Sequence, residues 1–168
     1  MSQDKVRIRP LEREDLDCLN KWRNDSNIFS QLGGGYFPIS KTEMSKWMDN
    51  FSRNDRNNVK FIIEYGNKSI GYVSLNNINY INRTGELGIY IGESGYHGKG
   101  IATKGLSLLE EFAQDYLNLR KIKVLVNNDN EAALKLYEKK SYTIVGNYSK
   151  ERYVQGQWVD VIIMEKFI

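Results

Sequence analysis

The sequence predicts an α/β domain of the α+β kind, with a mixed, mostly antiparallel sheet of about six to seven strands and helices on both faces. Three observations predict it. A strand pattern at Glu86–Ile91 passes through a glycine-rich turn into a helical pattern that ends at Tyr116. Two-residue alternation before and after that unit marks hairpins, which favour antiparallel pairing. The 168 residues are 40% hydrophobic and 27% charged. That is the balance of one globular domain over 1–168, and no repeat, low-complexity tract or linker divides it.

Taken in order, Lys5-Val6-Arg7-Ile8-Arg9 alternates like a first strand stopped by Pro10. Residues 12–23 read as a helix, because Leu16, Leu19 and Trp22 recur at three-residue steps among charges; Trp22 and Cys18 are expected in the core. Asn24 to Ser40 contains Gln31-Leu32-Gly33-Gly34-Gly35-Tyr36-Phe37-Pro38. This composition predicts no regular element but a shaped loop, either a connector or a lip facing a substrate. Ser40 and Glu43 stand at capping-box spacing and open a helix with Met44, Trp47, Met48 and Phe51 on its core face.

Val59–Tyr65 and Ile70–Leu75 are predicted strands around a hairpin turn at Gly66-Asn67-Lys68-Ser69, and Asn76 to Thr84 reads as strand ends around a polar loop. The central strand puts Leu87, Ile89 and Ile91 on one face and Glu86, Gly88 and Tyr90 on the other. The helix after it aligns Ile101, Leu108, Leu109, Phe112 and Tyr116. Lys121–Val126 is a short strand. Asn128 and Glu131 then mark the start of a helix over 129–140 that buries Ala133, Leu136 and Tyr137. Tyr142–Tyr153 and Trp158–Phe167 are two strands joined around Val154-Gln155-Gly156-Gln157.

Composition removes several functions. One cysteine, Cys18, leaves no internal disulfide or cysteine-based metal site, and one histidine, His97, argues against a His-rich centre or a serine–histidine triad; no metal is expected. Basic residues exceed acidic ones by 24 to 21, and the net charge of +3 is spread along the chain. That suits an anionic ligand and makes no case for nucleic acid. Apolar runs such as Val161–Met164 are far too short to span a membrane, and the N-terminus lacks the layout of a secretory leader, so a cytoplasmic setting is expected.

The functional reading centres on Gly95-Tyr96-His97-Gly98-Lys99-Gly100-Ile101-Ala102. A strand feeding a glycine turn that opens a helix offers unpartnered first-turn amides and the positive end of the macrodipole to an anion. Glycine admits a phosphate where a β-carbon would block it. The expected ligand is a pyrophosphate. A Walker loop and a dinucleotide fingerprint both need other spacings than Gly95-x-x-Gly98-x-Gly100.

The arrangement resembles the GCN5-related N-acetyltransferase (GNAT) superfamily over Arg7 to Phe167, most densely over 86–146. Gly98-Lys99-Gly100-Ile101-Ala102-Thr103 matches the second half of that family's Gln/Arg-x-x-Gly-x-Gly/Ala turn, with Gly95 where Gln or Arg is usual. Asn130-x-x-Ala133-x-x-Leu136-Tyr137-x-Lys139 matches its second block, followed by Ser141-Tyr142 in place of Gly-Phe. Arg7–Leu11, Glu14–Leu16 and Trp22–Asn24 resemble the branch of ribosomal-protein N-terminal (RimJ/RimL-type) and spermidine acetyltransferases. Trp22-Arg23-Asn24-Asp25 is similar to acetylases of nucleotide-linked amino sugars. No acidic cluster surrounds the 24–40 loop, which weighs against spermidine itself.

The resemblance implies a single GNAT-like domain, acetyl-CoA as co-substrate and direct attack by a primary amine in a ternary complex. The amine is that of a protein N-terminus, an amino sugar or a small molecule. A non-catalytic acyl-CoA-binding module with the same fold is the alternative. Acetyl transfer requires an unprotonated amine, a polarised thioester carbonyl and a protonated leaving thiol. Glu86, at the start of the central strand, is the candidate base; Glu93, beside the phosphate turn, is the weaker one. The resemblance makes Tyr137 the general acid and Asn130 a pantetheine contact or a helix-start residue. Gly88 suggests a bulge that parts its strand from 121–126, as in the family. Backbone at Ile89, Tyr90 and Ile91 would then pair with the pantetheine like an added strand. Lys99 is expected to face phosphate or solvent, and His97 to be a loop residue near phosphate. Dimers are common in the branch the chain resembles.

Overall fold

The structure is a computed structural model, described over residues 5–51 and 55–168. Its strands are β1 (Val6–Pro10), β2 (Val59–Tyr65), β3 (Lys68–Asn79), β4 (Thr84–Ile91), β5 (Lys121–Asn127), β6 (Thr143–Val154) and β7 (Gln157–Phe167). They form a seven-stranded sheet in the order β1-β2-β3-β4-β5-β7-β6. Among the described residues only β4 and β5 run parallel, because the helical crossover between them returns the chain to the same end of the sheet.

Each face is covered by helices whose apolar stripes match it. On one face α4 (Ile101–Asp115) and α5 (Glu131–Lys139) pack Leu106, Leu109 and Tyr137 against Ile63, Val73 and Leu87. On the other, α1 (Leu16–Arg23), α2 (Ser26–Phe29) and α3 (Lys41–Phe51) pack Leu19, Trp22, Ile28, Met44 and Met48 against Ile62, Tyr72 and Tyr90. The capping box forms as expected: Glu43 N–H donates to Ser40 Oγ at 3.1 Å, and Ser40 N–H to Glu43 Oε2 at 2.8 Å.

One departure from regular pairing matters for function. β4 and β5 pair only at Thr84↔Lys121, Gly85↔Ile122 and Glu86↔Lys123. Beyond Glu86, β4 stays with β3 as far as Ile91, and β5 stays with β7 as far as Asn127. The two strands therefore diverge, and a wedge-shaped opening runs through the middle of the sheet.

Several expectations need correction. Asn24–Ser40 is not wholly irregular: Asp25 accepts from Asn27 N–H and caps the short α2. The first hairpin turns on Gly66 and Asn67 alone, both with positive φ, and β3 extends to Asn79. The bulge expected at Gly88 lies opposite, in β3 between Asn76 and Asn79, while Gly88↔Ser74 pairs regularly. Gly88 serves close approach instead, since a β-carbon there would lie 3.0 Å from Ser74 Oγ. In α4 the buried face is Ile101, Gly105, Leu106, Leu109 and Ala113, and Tyr116 is 80% exposed. The cap of α5 is Asn130, whose Oδ1 accepts from Ala133 N–H at 3.1 Å, rather than Asn128. After that helix Ser141 holds the left-handed conformation, φ 67°, at the position where glycine is usual in the family the chain resembles.

Candidate active site

The opening between β4 and β5 is the floor of a cleft of about 1050 Å³. Its walls come from both faces of the sheet. On the α4–α5 side it is lined by Tyr96, His97, Gly98 and Gly100–Thr103, and by Asn130, Ala133, Leu136, Tyr137 and two lysines of α5, Lys135 and Lys139. On the α1–α2 side it is lined by Asp25, Asn27, Ile28 and the loop 31–33. Glu86–Gly92 and Val124–Asn127 are the parted strands. Gly95 and Lys99 do not line it; the Lys99 ammonium lies 5.1 Å over the Tyr96 ring.

The glycine turn is built to present amides. Ser94–Tyr96 form a 3-10 turn, and Gly98 and Gly100 take φ of 73° and 72°, where a β-carbon costs about 1–2 kcal/mol. Beyond the adjoining residues, no atom of the described residues lies within 4 Å of a β-carbon built at either glycine, so only the backbone angle and an incoming ligand constrain them. After His97 N–H, which donates to Ser94 O at 3.2 Å, the next amide with a backbone acceptor among the described residues is Lys104, bonded to Gly100 O at 3.1 Å. The intervening amides stand at the positive end of α4 with no backbone acceptor, a cradle that fits a pyrophosphate. The turn is steadied by His97, whose Nε2 lies 3.0 Å from Ile91 O.

Among the described residues the β4 edge that faces β5 has no strand partner past Glu86, so Ile89 and the Ile91 amide offer backbone groups to an extended amide-bearing ligand; Tyr90, also expected to do so, turns its backbone to Tyr72 in β3, and Ile91 O is engaged by His97. Tyr137 enters from the α5 side, packed against Tyr142 with ring centroids 5.5 Å apart. Burial pushes its phenol well above the ordinary tyrosine range, so the proton is held through neutral pH. Asn130 spends Oδ1 on the helix cap, which leaves its Nδ2 for a ligand. Glu86 lies on the opposite face of β4, aligned with Asn76 in β3, and accepts from Asn77 Nδ2 at 3.1 Å. Two residues on, Gly88 pairs with Ser74, whose Oγ accepts from Asn76 Nδ2 at 3.0 Å.

Glu93 takes a different part. It accepts from Trp22 Nε1 at 2.9 Å and Lys21 Nζ at 3.0 Å. The indole N–H, then the ammonium, hold its carboxyl below the usual range. It is therefore an anchor of β4 on α1. The Asn24–Ser40 segment, expected as a connector or a lip, supplies Asp25, Asn27 and the loop 31–33 to the cleft wall, whereas sequence spacing does not reveal Asn127 and Arg152, which lie far from it in the chain.

A diverging β4–β5 pair, an anion cradle on the crossover helix and a protonated tyrosine on the next helix define an enzyme that transfers an acyl group from coenzyme A to an amine. The chain belongs to the acetyltransferase (GNAT) domain family, whose model matches residues 5–141. It is similar to spermidine N(1)-acetyltransferase of Escherichia coli K12, 29% identical over 165 residues, with 97% of this chain and 86% of that protein covered. A structure of spermidine N-acetyltransferase from Vibrio cholerae in complex with CoA and spermine superposes with a TM-score of 0.89 at 30% identity, covering 96% of this chain and 95% of that one. A dodecameric structure of the Vibrio cholerae enzyme matches with a TM-score of 0.82 at 28% identity, covering 96% and 93%.

The protein is thus an acetyl-CoA-dependent N-acetyltransferase acting on an amine. No helix among the described residues is long and apolar enough to cross a membrane.

Proposed function

We propose that the protein acetylates a primary amine of a small molecule by direct attack in a ternary complex, with Glu86 as general base and Tyr137 as general acid. The observation that carries this reading is that Glu86 and Tyr137 approach one opening from opposite faces of the sheet. An alkyl ammonium titrates near pH 10, so it must lose a proton before attack. Glu86 accepts that proton, directly or through a water. The amine nitrogen then bonds to the thioester carbon, whose oxygen is stabilised by backbone groups of β4. As the carbon–sulfur bond breaks, Tyr137 donates its phenolic proton to the sulfur, and the new amide nitrogen releases its second proton to solvent. The amides of residues 98–103, with Lys135 and Lys139, bind the phosphates; Asn130 Nδ2, the backbone of Ile89 and the Ile91 amide hold the pantetheine.

The spermidine acetyltransferases to which the chain is similar support a small acceptor over a protein N-terminus, and so does the cleft, which is walled by the 31–33 loop and Arg152. We place the reaction in the cytoplasm. We further propose that copies of the chain associate: β6 is exposed along most of its length, with Ile144, Val145, Tyr148 and Tyr153 outward, and the Vibrio cholerae relative is dodecameric. Thiol release followed across a panel of amines and N-terminal peptides tests the reaction. Small amines should be turned over, with kcat lowered at least about 100-fold in Glu86→Gln or Tyr137→Phe. Unchanged turnover in both variants rejects the assigned roles. Light scattering tests association, and a monomer at micromolar concentration rejects it.

A further inference from the structure

Arg152 reaches the cleft through an irregularity in β6. Pairing with β7 shifts once between Ile144 and Gly146, is regular from Gly146↔Ile163 to Tyr148↔Val161, shifts again, and resumes at Arg152↔Val159. Within the shift Lys150 takes φ of 49°, and its amide is held by Asp160 Oδ1 at 2.8 Å. Such a bulge re-aims the side chains that follow it. The guanidinium ends against the glycine loop, where a β-carbon on Gly33 would come within 2.8 Å of Nη2. Nη1 donates to Asn127 Oδ1 at 2.6 Å; Asn127, 1% exposed, donates in turn to Ser30 O at 3.1 Å.

One donor is thereby used. Arg152 lines both the cleft and the smaller cavity beside the glycine loop, and it makes no ion pair among the described residues. Desolvation pulls its pKa down, and the charge of Glu151 opposes this. A cation at such depth normally has a counter-charge. The carboxylates that share the cleft, Glu86 and Asp25, are engaged with Asn77 Nδ2 and the α2 cap. The missing partner is an anion supplied from outside the chain, and the planar fork of arginine suits a carboxylate or a phosphate.

We propose that Arg152 selects an acceptor that carries a carboxylate or phosphate as well as its amine, with the ammonium end at Glu86 and Asp25 and the anion on the guanidinium fork. This rests on the acetyl-transfer reading above. It sets the chain apart from the spermidine acetyltransferases it is similar to, since spermidine brings only positive charge. A second ammonium beside Arg152 would be repelled.

Steady-state thiol release with matched acceptors tests it: 4-aminobutanoate against 1,4-diaminobutane, and glucosamine 6-phosphate against glucosamine. The wild type should favour the anionic member of at least one pair by about tenfold or more in kcat/KM, the size of one charge-assisted contact; the pair that responds tells carboxylate from phosphate. Arg152→Gln should abolish that preference through the acceptor KM, and Arg152→Lys should keep part of it, while calorimetry shows acetyl-CoA still bound. If Arg152→Gln loses acetyl-CoA binding, Arg152→Lys decides, and a wild-type preference there overturns the bidentate contact. Preference for the neutral or cationic members, or one that survives both variants, overturns the role of Arg152. Absence of thiol from every amine overturns the transfer reaction instead.

Discussion

Trp22 and Gly92 are in face-to-face contact: a β-carbon on Gly92 would lie 2.2 Å from the indole ring. Trp22 is fully buried, and its N–H is fixed by Glu93, the next residue along. The end of β4 is thus clamped onto α1 just before the phosphate turn. Gly92→Ala must displace the indole, and we expect a loss of about 2–3 kcal/mol by chemical denaturation together with weaker acetyl-CoA binding. Full stability in that variant would reject the clamp.

Tyr137→Phe should lower kcat at least about 100-fold and leave the Kd for acetyl-CoA within about twofold, because only the hydroxyl is removed and the ring stays packed. The wild-type phenol is raised by burial, so no loss of activity from its deprotonation should occur below about pH 10. Rate profiles between pH 6 and 10 for both proteins check this.

Gly98→Ala and Gly100→Ala each put a β-carbon into the cradle on a backbone at positive φ. Acetyl-CoA affinity should fall about tenfold or more by calorimetry, with a stability loss of about 1 kcal/mol.

Arg9 joins two nearly buried carboxylates, Asp15 at 2.8 Å and Glu64 at 2.6 Å, and Arg7 also contacts Glu64. Burial pushes both carboxyls up, but hydrogen bonds, chiefly from Arg9, outweigh it and leave both below their ordinary values. A carboxyl lowered in the folded state contributes stability that is full above its unfolded pKa, about 4, and is lost as pH falls through the folded value. Stability should therefore be level from about pH 5 to 7 and decline below pH 4. Arg9→Gln should remove about 3 kcal/mol at pH 7 and flatten that decline. Urea titrations at several pH values measure both.

Ser141 pays for its left-handed backbone at the end of α5. Ser141→Gly should stabilise the protein by about 0.5–1 kcal/mol, a rise of about 1–4 °C in Tm.

Much of this was legible in the residues. Alternation located the strands, the Ser40–Glu43 spacing located a cap, and the Gly98–Ala102 and Asn130–Tyr137 segments marked one wall of the cleft, because each is a local signal confined to one turn or one helix. The opposite wall was legible only in its 24–40 segment. Arg152 enters it only through the shift in β6, and Asn127 at the end of β5 meets Ser30 at the end of α2 only when segments far apart in sequence are brought together. Gly88 was noticed for the right strand and the wrong reason: the extra residues are in β3, where Asn77 accepts the positive φ. α2 escaped because one helical turn leaves no periodicity to read.

A sheet with two strands prised apart at its centre is a ladder with rungs left open to water. Whatever threads that slit completes the ladder, so occupancy and thermal endurance rise together; a ligand at a hundred times its Kd adds about 2.7 kcal/mol. The empty enzyme is the most fragile form of this molecule, and its resistance to heat or proteolysis should track the supply of thioester around it.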